Sequence, residues 1–146
     1  MRYVQKVSKQ KPSAMKNPRG LRKISINAAN GKVNGFKTFV KEIMQGREML
    51  VEPGLSVLAL PDGLIFEFFG VGSNCPDYLF SHSNIVNTYQ VNDIQFAVEG
   101  LKEQGAILLG KIVNMAPSCY YCHLNLADGS VIGLIQHNTG AGIYRE

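Results

Sequence analysis

Hydrophobic and polar positions along the chain alternate in two rhythms, and the order of the rhythms repeats. Residues 58–69 (LALPDGLIFEFF) align without a gap on residues 124–135 (LNLADGSVIGLI). Each copy reads as a strand, an Asp-Gly turn and a second strand, because Asp-Gly between alternating runs supplies the positive φ angles of a tight hairpin. Upstream of each hairpin the period changes from two to 3.6. Phe36, Phe39, Val40 and Ile43 form an i, i+3, i+4, i+7 stripe, and Ile94, Ala97, Val98 and Leu101 repeat that spacing. Gly46 and Gly105 end the two helices, and Asn92 or Asp93 can cap the start of the second. One strand precedes each helix (21–28 and 85–91) and another follows it (48–52 and 106–113). The predicted order is therefore β-α-β-β-β, twice, an α+β chain of two tandem βαβββ modules at 21–72 and 85–137 joined by a linker at 73–84. One helix covers one face of its sheet. Two modules side by side form a curved mixed sheet with the helices outside and a groove within.

Composition adds little to this until charge is located. With 45% hydrophobic and 18% charged residues the chain is ordinary for a globular protein, and its apolar runs are too short to span a bilayer. The net charge of +4 hides a split. Residues 1–23 hold eight basic side chains and no acidic one, whereas the other 123 hold seven basic and eleven acidic. Residues 1–20 are expected to form a flexible, solvated extension, with an acid-free organellar presequence as the alternative. The body has no basic stripe interleaved with aromatics, so a nucleic-acid partner is not expected. Three cysteines and no apolar leader point to a reducing, cytoplasmic setting. Residues 138–146 read as a tail.

Three stretches carry a resemblance: 91–94 (VNDI) opening the second helix, 101–105 (LKEQG) closing it, and 127–136 (ADGSVIGLIQ) at the end. Over about residues 20–137 the chain resembles the vicinal oxygen chelate superfamily, which includes glyoxalase I, bleomycin-resistance proteins and extradiol dioxygenases. The resemblance implies a homodimer, a small-molecule ligand, and a divalent metal held by one side chain from the first and last strand of each module. At those positions stand Lys23, Glu67, Val86 and Gly133. Only Glu67 is a ligand type, and an ammonium repels a cation. No cofactor is therefore expected; a displaced cation on Glu67, His123 and His137 is the alternative.

Alternation also assigns faces once Glu67 and Gly133 point inward. Lys23, Ser25, Asn27, Ile65, Glu67, Phe69, Thr88, Gln90, Tyr121, His123, Asn125 and Ile135 then face the groove, with His137 near its rim. Glu67 or His123 is the candidate base for proton transfer on an oxygenated metabolite, with Lys23 beside the developing negative charge. Ser25, Asn27, Phe69, Thr88, Gln90, Tyr121, Asn125 and Ile135 are the candidate ligand contacts. This describes an isomerase or lyase; the alternative is a non-catalytic protein that sequesters a small molecule, as bleomycin-resistance proteins do. The plain structural alternative is a Lys23–Glu67 ion pair beside a partly buried histidine. The string at residues 119–123 (CYYCH) matches haem attachment, but in a strand Cys119 and Cys122 point to opposite faces, which leaves Cys122 as a small buried hydrophobe.

Overall fold

The computed structural model describes residues 20–137; the basic extension and the tail lie outside the described residues. The elements run β1 (Gly20–Asn27), α1 (Asn34–Glu42), β2 (Arg47–Glu52), β3 (Leu55–Ala59), β4 (Ile65–Phe69), β5 (Ile85–Gln90), α2 (Ile94–Glu103), β6 (Ile107–Ala116), β7 (Cys119–Asn125) and β8 (Val131–His137). All eight strands join one open mixed sheet in the order β2-β3-β4-β1-β5-β8-β7-β6. β1 runs parallel to β4 and β5 parallel to β8, while β1 and β5 meet antiparallel at the centre.

The two Asp-Gly turns are alike atom for atom. Gly63 (φ +98°) and Gly129 (φ +95°) each take the left-handed conformation, and each donates its N–H to a leucine carbonyl three residues back, Leu60 and Leu126, at 2.9 Å. The Asp62 and Asp128 carboxylates accept from the N–H of Leu64 (3.0 Å) and Ser130 (2.9 Å). This is the local self-bonding that makes Asp a turn residue. α2 starts where its sequence asks, with the Asp93 side chain accepting from Phe96 N at 3.0 Å, and Gly105 (φ +99°) follows its end.

Three apolar clusters fix the faces. Ile26, Val40, Leu58, Phe66 and Phe68 pack between α1 and its half of the sheet. Ile94, Val98, Cys122, Leu124 and Leu134 do the same under α2. The third cluster lies on the opposite, groove-side face and includes Leu55, Val57, Ile65, Phe69, Val86, Cys119 and Ile135. Each fully buried Val, Leu or Ile among them contributes about 1.5–3 kcal/mol. Cys119 and Cys122 thus fall on opposite faces, as an extended strand requires, and the three cysteines of the described chain are free thiols.

Two features add detail that the pattern alone does not carry. The stripe on α1 is not wholly core: Val40 is buried, but Phe36 and Phe39 are half-exposed and Ile43 lies outside the helix, largely exposed. Phe36 still rests edge-on against Phe66, with ring centroids 5.9 Å apart, so the stripe reaches the sheet only along one edge. The linker at 73–84 is not a mere spacer either. Leu79 is 2% exposed inside the groove-side cluster, and Phe80 packs edge-on against Phe69 at 5.7 Å. The segment is a strap lying over the groove.

Candidate functional site

The strap and the sheet border an open cavity of about 250 Å³. β1 supplies Lys23 and Ser25, β4 supplies Glu67 and Phe69, β7 supplies Tyr121 and His123, and β8 supplies Ile135. Glu67 is the centre of its polar end. Only 3% exposed, it accepts from Ser25 Oγ at 2.8 Å on Oε1 and from Lys23 Nζ at 3.3 Å on Oε2. Strand register explains the grouping. Ser25 sits beside Glu67 across the parallel β1–β4 ladder, and Lys23, two residues earlier, shares Ser25's face. A charged pair with the carboxylate 4% and the amine 15% exposed carries a desolvation cost, set against its attraction and the added Ser25 bond.

His123 stands across the cavity. Burial, helped by the nearby Lys23 charge, pulls its pKa from 6.5 down to about 4, so the ring is neutral at physiological pH. Its Nδ1 lies 3.3 Å from the hydroxyl of Tyr78 on the strap, and the Tyr78 and Tyr121 rings meet it edge-on at 5.5 and 6.0 Å. Burial is also the first cause of a raised Tyr78 pKa, followed by the neighbouring Tyr121, Cys122 and Cys75, which keeps that phenol protonated. All three thiols are held above their ordinary value by burial, Cys122 up to about 11, so none is prepared as a nucleophile.

Of the residues singled out from sequence, the structure brings together Lys23, Ser25, Glu67, Phe69, Tyr121, His123 and Ile135 around the cavity. Asn27, Thr88, Gln90, Asn125 and His137 do not line it. Asn27 bonds Asn84 and the N–H of Ala29, and Asn125 bonds the carbonyl of Gly129, so both serve turns. Thr88 and Gln90 are buried in the sheet, where Thr88 fills the space a side chain at Gly133 would need. His137 pairs with Cys119 on the neighbouring strand and is itself buried. Sequence reasoning missed Glu52, Leu55, Asn74, Pro76, Leu79 and Met115, which complete the wall, and Tyr78 behind His123. Period-two alternation from Val57 would have found Leu55. The apolar pair Leu79-Phe80 inside a polar linker was the available signal for the strap.

A divalent metal does not fit this donor set. Val86 and Gly133 offer no side-chain donor, Lys23 offers a cation, and the oxygens of Glu67 already accept from Ser25 and Lys23. The alternative set of Glu67, His123 and His137 is not assembled: among the described residues no three His, Cys, Asp or Glu side chains come together to hold an ion.

The sheet order, the paired helices on one face and the cavity on the other define a vicinal oxygen chelate fold. The chain is similar to a glyoxalase/bleomycin resistance protein/dioxygenase superfamily member from Vibrio splendidus (15% identity, 80% of this chain and 98% of that one, TM-score 0.54). It is similar also to methylmalonyl-CoA epimerase from Mycobacterium tuberculosis (15%, covering 82% and 88%, TM-score 0.54). A hypothetical protein from Bacillus halodurans aligns with TM-score 0.59 at 16% identity, over 85% of this chain and 98% of that one. At such identities the likeness is one of fold. No family model and no curated protein matches the sequence. No helix among the described residues is long and apolar enough to cross a membrane.

Proposed function

We propose that the chain is a glyoxalase-like protein that transfers a proton on a small oxygenated metabolite in the cavity without a metal ion. The observation that carries this reading is Glu67, a carboxylate 3% exposed and oriented by two donors in the wall of a cavity. At about 250 Å³ the space falls just below the ~300–1,000 Å³ of drug-sized ligand sites, which suits a small metabolite. Glu67 is the base in this reading, because it stands in the cavity wall beside Lys23, the cation that meets the developing oxyanion. Glu67 takes a proton from the carbon beside a carbonyl, and the electron pair moves onto the carbonyl oxygen. Lys23 turns from the carboxylate to that oxygen as its negative charge develops. In an α-hydroxycarbonyl compound, return of the proton to the former carbonyl carbon, as the hydroxyl proton passes to the neighbouring oxygen, completes an isomerisation. Homodimerisation and a cytoplasmic setting belong to the same proposal, the first from the family resemblance and the second from the free thiols.

The test is proton exchange in deuterium oxide, followed by nuclear magnetic resonance, on a panel of short 2-oxo acids and hydroxyketones. Deuterium enters beside the carbonyl with the natural chain and about 10²–10⁴-fold more slowly with Glu67→Gln. The apolar part of the wall, formed by Leu55, Phe69, Leu79 and Ile135, favours a second reading, sequestration. Binding that survives Glu67→Gln, with no exchange in either protein, would establish sequestration and reject catalysis.

A further inference from the structure

Tyr78 lies on the strap, outside the cavity wall, and its hydroxyl lies 3.3 Å from Nδ1 of His123, whose side chain lines the cavity. A phenol O–H is a stronger donor than a neutral imidazole N–H, and an imidazole nitrogen is a stronger acceptor than a phenol oxygen. These strengths favour Tyr78 as the donor and Nδ1 as the acceptor across the 3.3 Å contact. A neutral imidazole carries one proton, so an Nδ1 that accepts leaves the proton on Nε2.

We propose that Tyr78 fixes His123 as the Nε2–H tautomer and so gives the cavity a further hydrogen-bond donor, in addition to Lys23, for an acceptor oxygen of the ligand. The ligand side of this inference rests on the proposed binding of an oxygenated small molecule; the tautomer does not. Together the two donors select compounds that present a carbonyl or enolate oxygen at this end and disfavour those that present a hydroxyl proton or an ammonium. A neutral donor polarises a carbonyl without placing a second full charge next to Lys23, whose field disfavours the imidazolium. Tyr78 is a positioning residue, since it acts only through His123. Its own place is set by the strap: the Leu79 side chain is buried in the groove-side cluster and Ser81 bonds back to the Tyr78 carbonyl at 2.9 Å.

Long-range proton–nitrogen correlation on ligand-free, ¹⁵N-labelled full-length chain at neutral pH reads the tautomer directly, with His123→Gln assigning the signal. The expected spectrum has His123 protonated on Nε2 and bare on Nδ1, and Tyr78→Phe, which keeps the ring contact, shifts it to a mixture of the two tautomers. Protonation on Nδ1 in the natural chain overturns the proposal without needing any variant. An unchanged tautomer in a folded Tyr78→Phe overturns it too. Failure of the exchange assay would sink proton transfer at Glu67 and leave this spectrum as it is, so the two readings fail separately. Where exchange occurs, Tyr78→Phe slows it about tenfold, whereas His123→Gln, whose amide can still donate, retains more activity than His123→Ala.

Discussion

Replacing Lys23 by methionine removes one member of a buried pair while keeping the volume of its stem. The Glu67 carboxylate, 4% exposed at its side chain, then loses the Lys23 ammonium at 3.3 Å and retains the Ser25 Oγ bond at 2.8 Å. Breaking a buried pair from one side costs about 3–5 kcal/mol, most of it the stranded charge. Lys23 is 15% exposed, so part of its attraction is screened by water and the low end, about 3 kcal/mol, applies. In a domain of this size that lowers the melting midpoint by about 10 °C. Urea unfolding of four proteins measures it: the natural chain, Lys23→Met, Glu67→Gln and the double variant. The double variant removes both charges, so it should recover about 2 kcal/mol over Lys23→Met alone. Equal midpoints for the natural chain and Lys23→Met, or no recovery in the double variant, would refute the claim that Lys23 compensates Glu67.

Gly133→Ala drives a methyl group into Thr88 Oγ1 and to 3.2 Å from its Cβ and Cγ2 in the centre of the sheet, so thermal melts should show a loss of about 1–3 kcal/mol, much of it relieved by adding Thr88→Ala. His123 has a folded pKa of about 4 against 6.5 unfolded, so the unfolded chain binds the extra proton between those values. Its contribution is complete above pH 6.5 and is lost toward pH 4, with a slope of up to ~1.4 kcal/mol per unit that His123→Gln should flatten in calorimetric scans. Leu79→Ala, at 2% exposure, should cost about 2–5 kcal/mol and expose residues 73–84 to limited proteolysis; cleavage rates equal to the natural chain's would show that Leu79 does not hold the strap.

Much of the fold could be read from period alone. The Asp-Gly turns, the cap at Asp93 and the alternation of Ile65, Glu67 and Phe69 against Phe66 and Phe68 are local signals, and local signals survive folding. The same alternation put Lys23, Ser25, Tyr121 and His123 on one face, and the sheet order then gathered them. Alternation names a face but not a position along it. That is why Asn27, Asn125 and His137 share the groove side and stand away from the cavity. The strap was not legible for a different reason: Leu79 and Tyr78 have no periodic partners, and what they touch lies across the fold, His123 being 45 residues from Tyr78. α1 was over-read because a stripe reports amphipathicity, whereas burial also depends on how far the helix sits from its sheet.

The two hairpins place Glu67 and Gly133 at corresponding points, one a carboxylate in the cavity wall and the other closed off by Thr88. The palindromic strand order would otherwise offer a visitor two equivalent ways to lie in the groove. In the proposed proton transfer, a flat carbonyl compound meets Glu67 from a single face. Handedness in the product of that reaction follows from the asymmetry between two near-copies of one structural unit, and a chain with a carboxylate at both points would give it up.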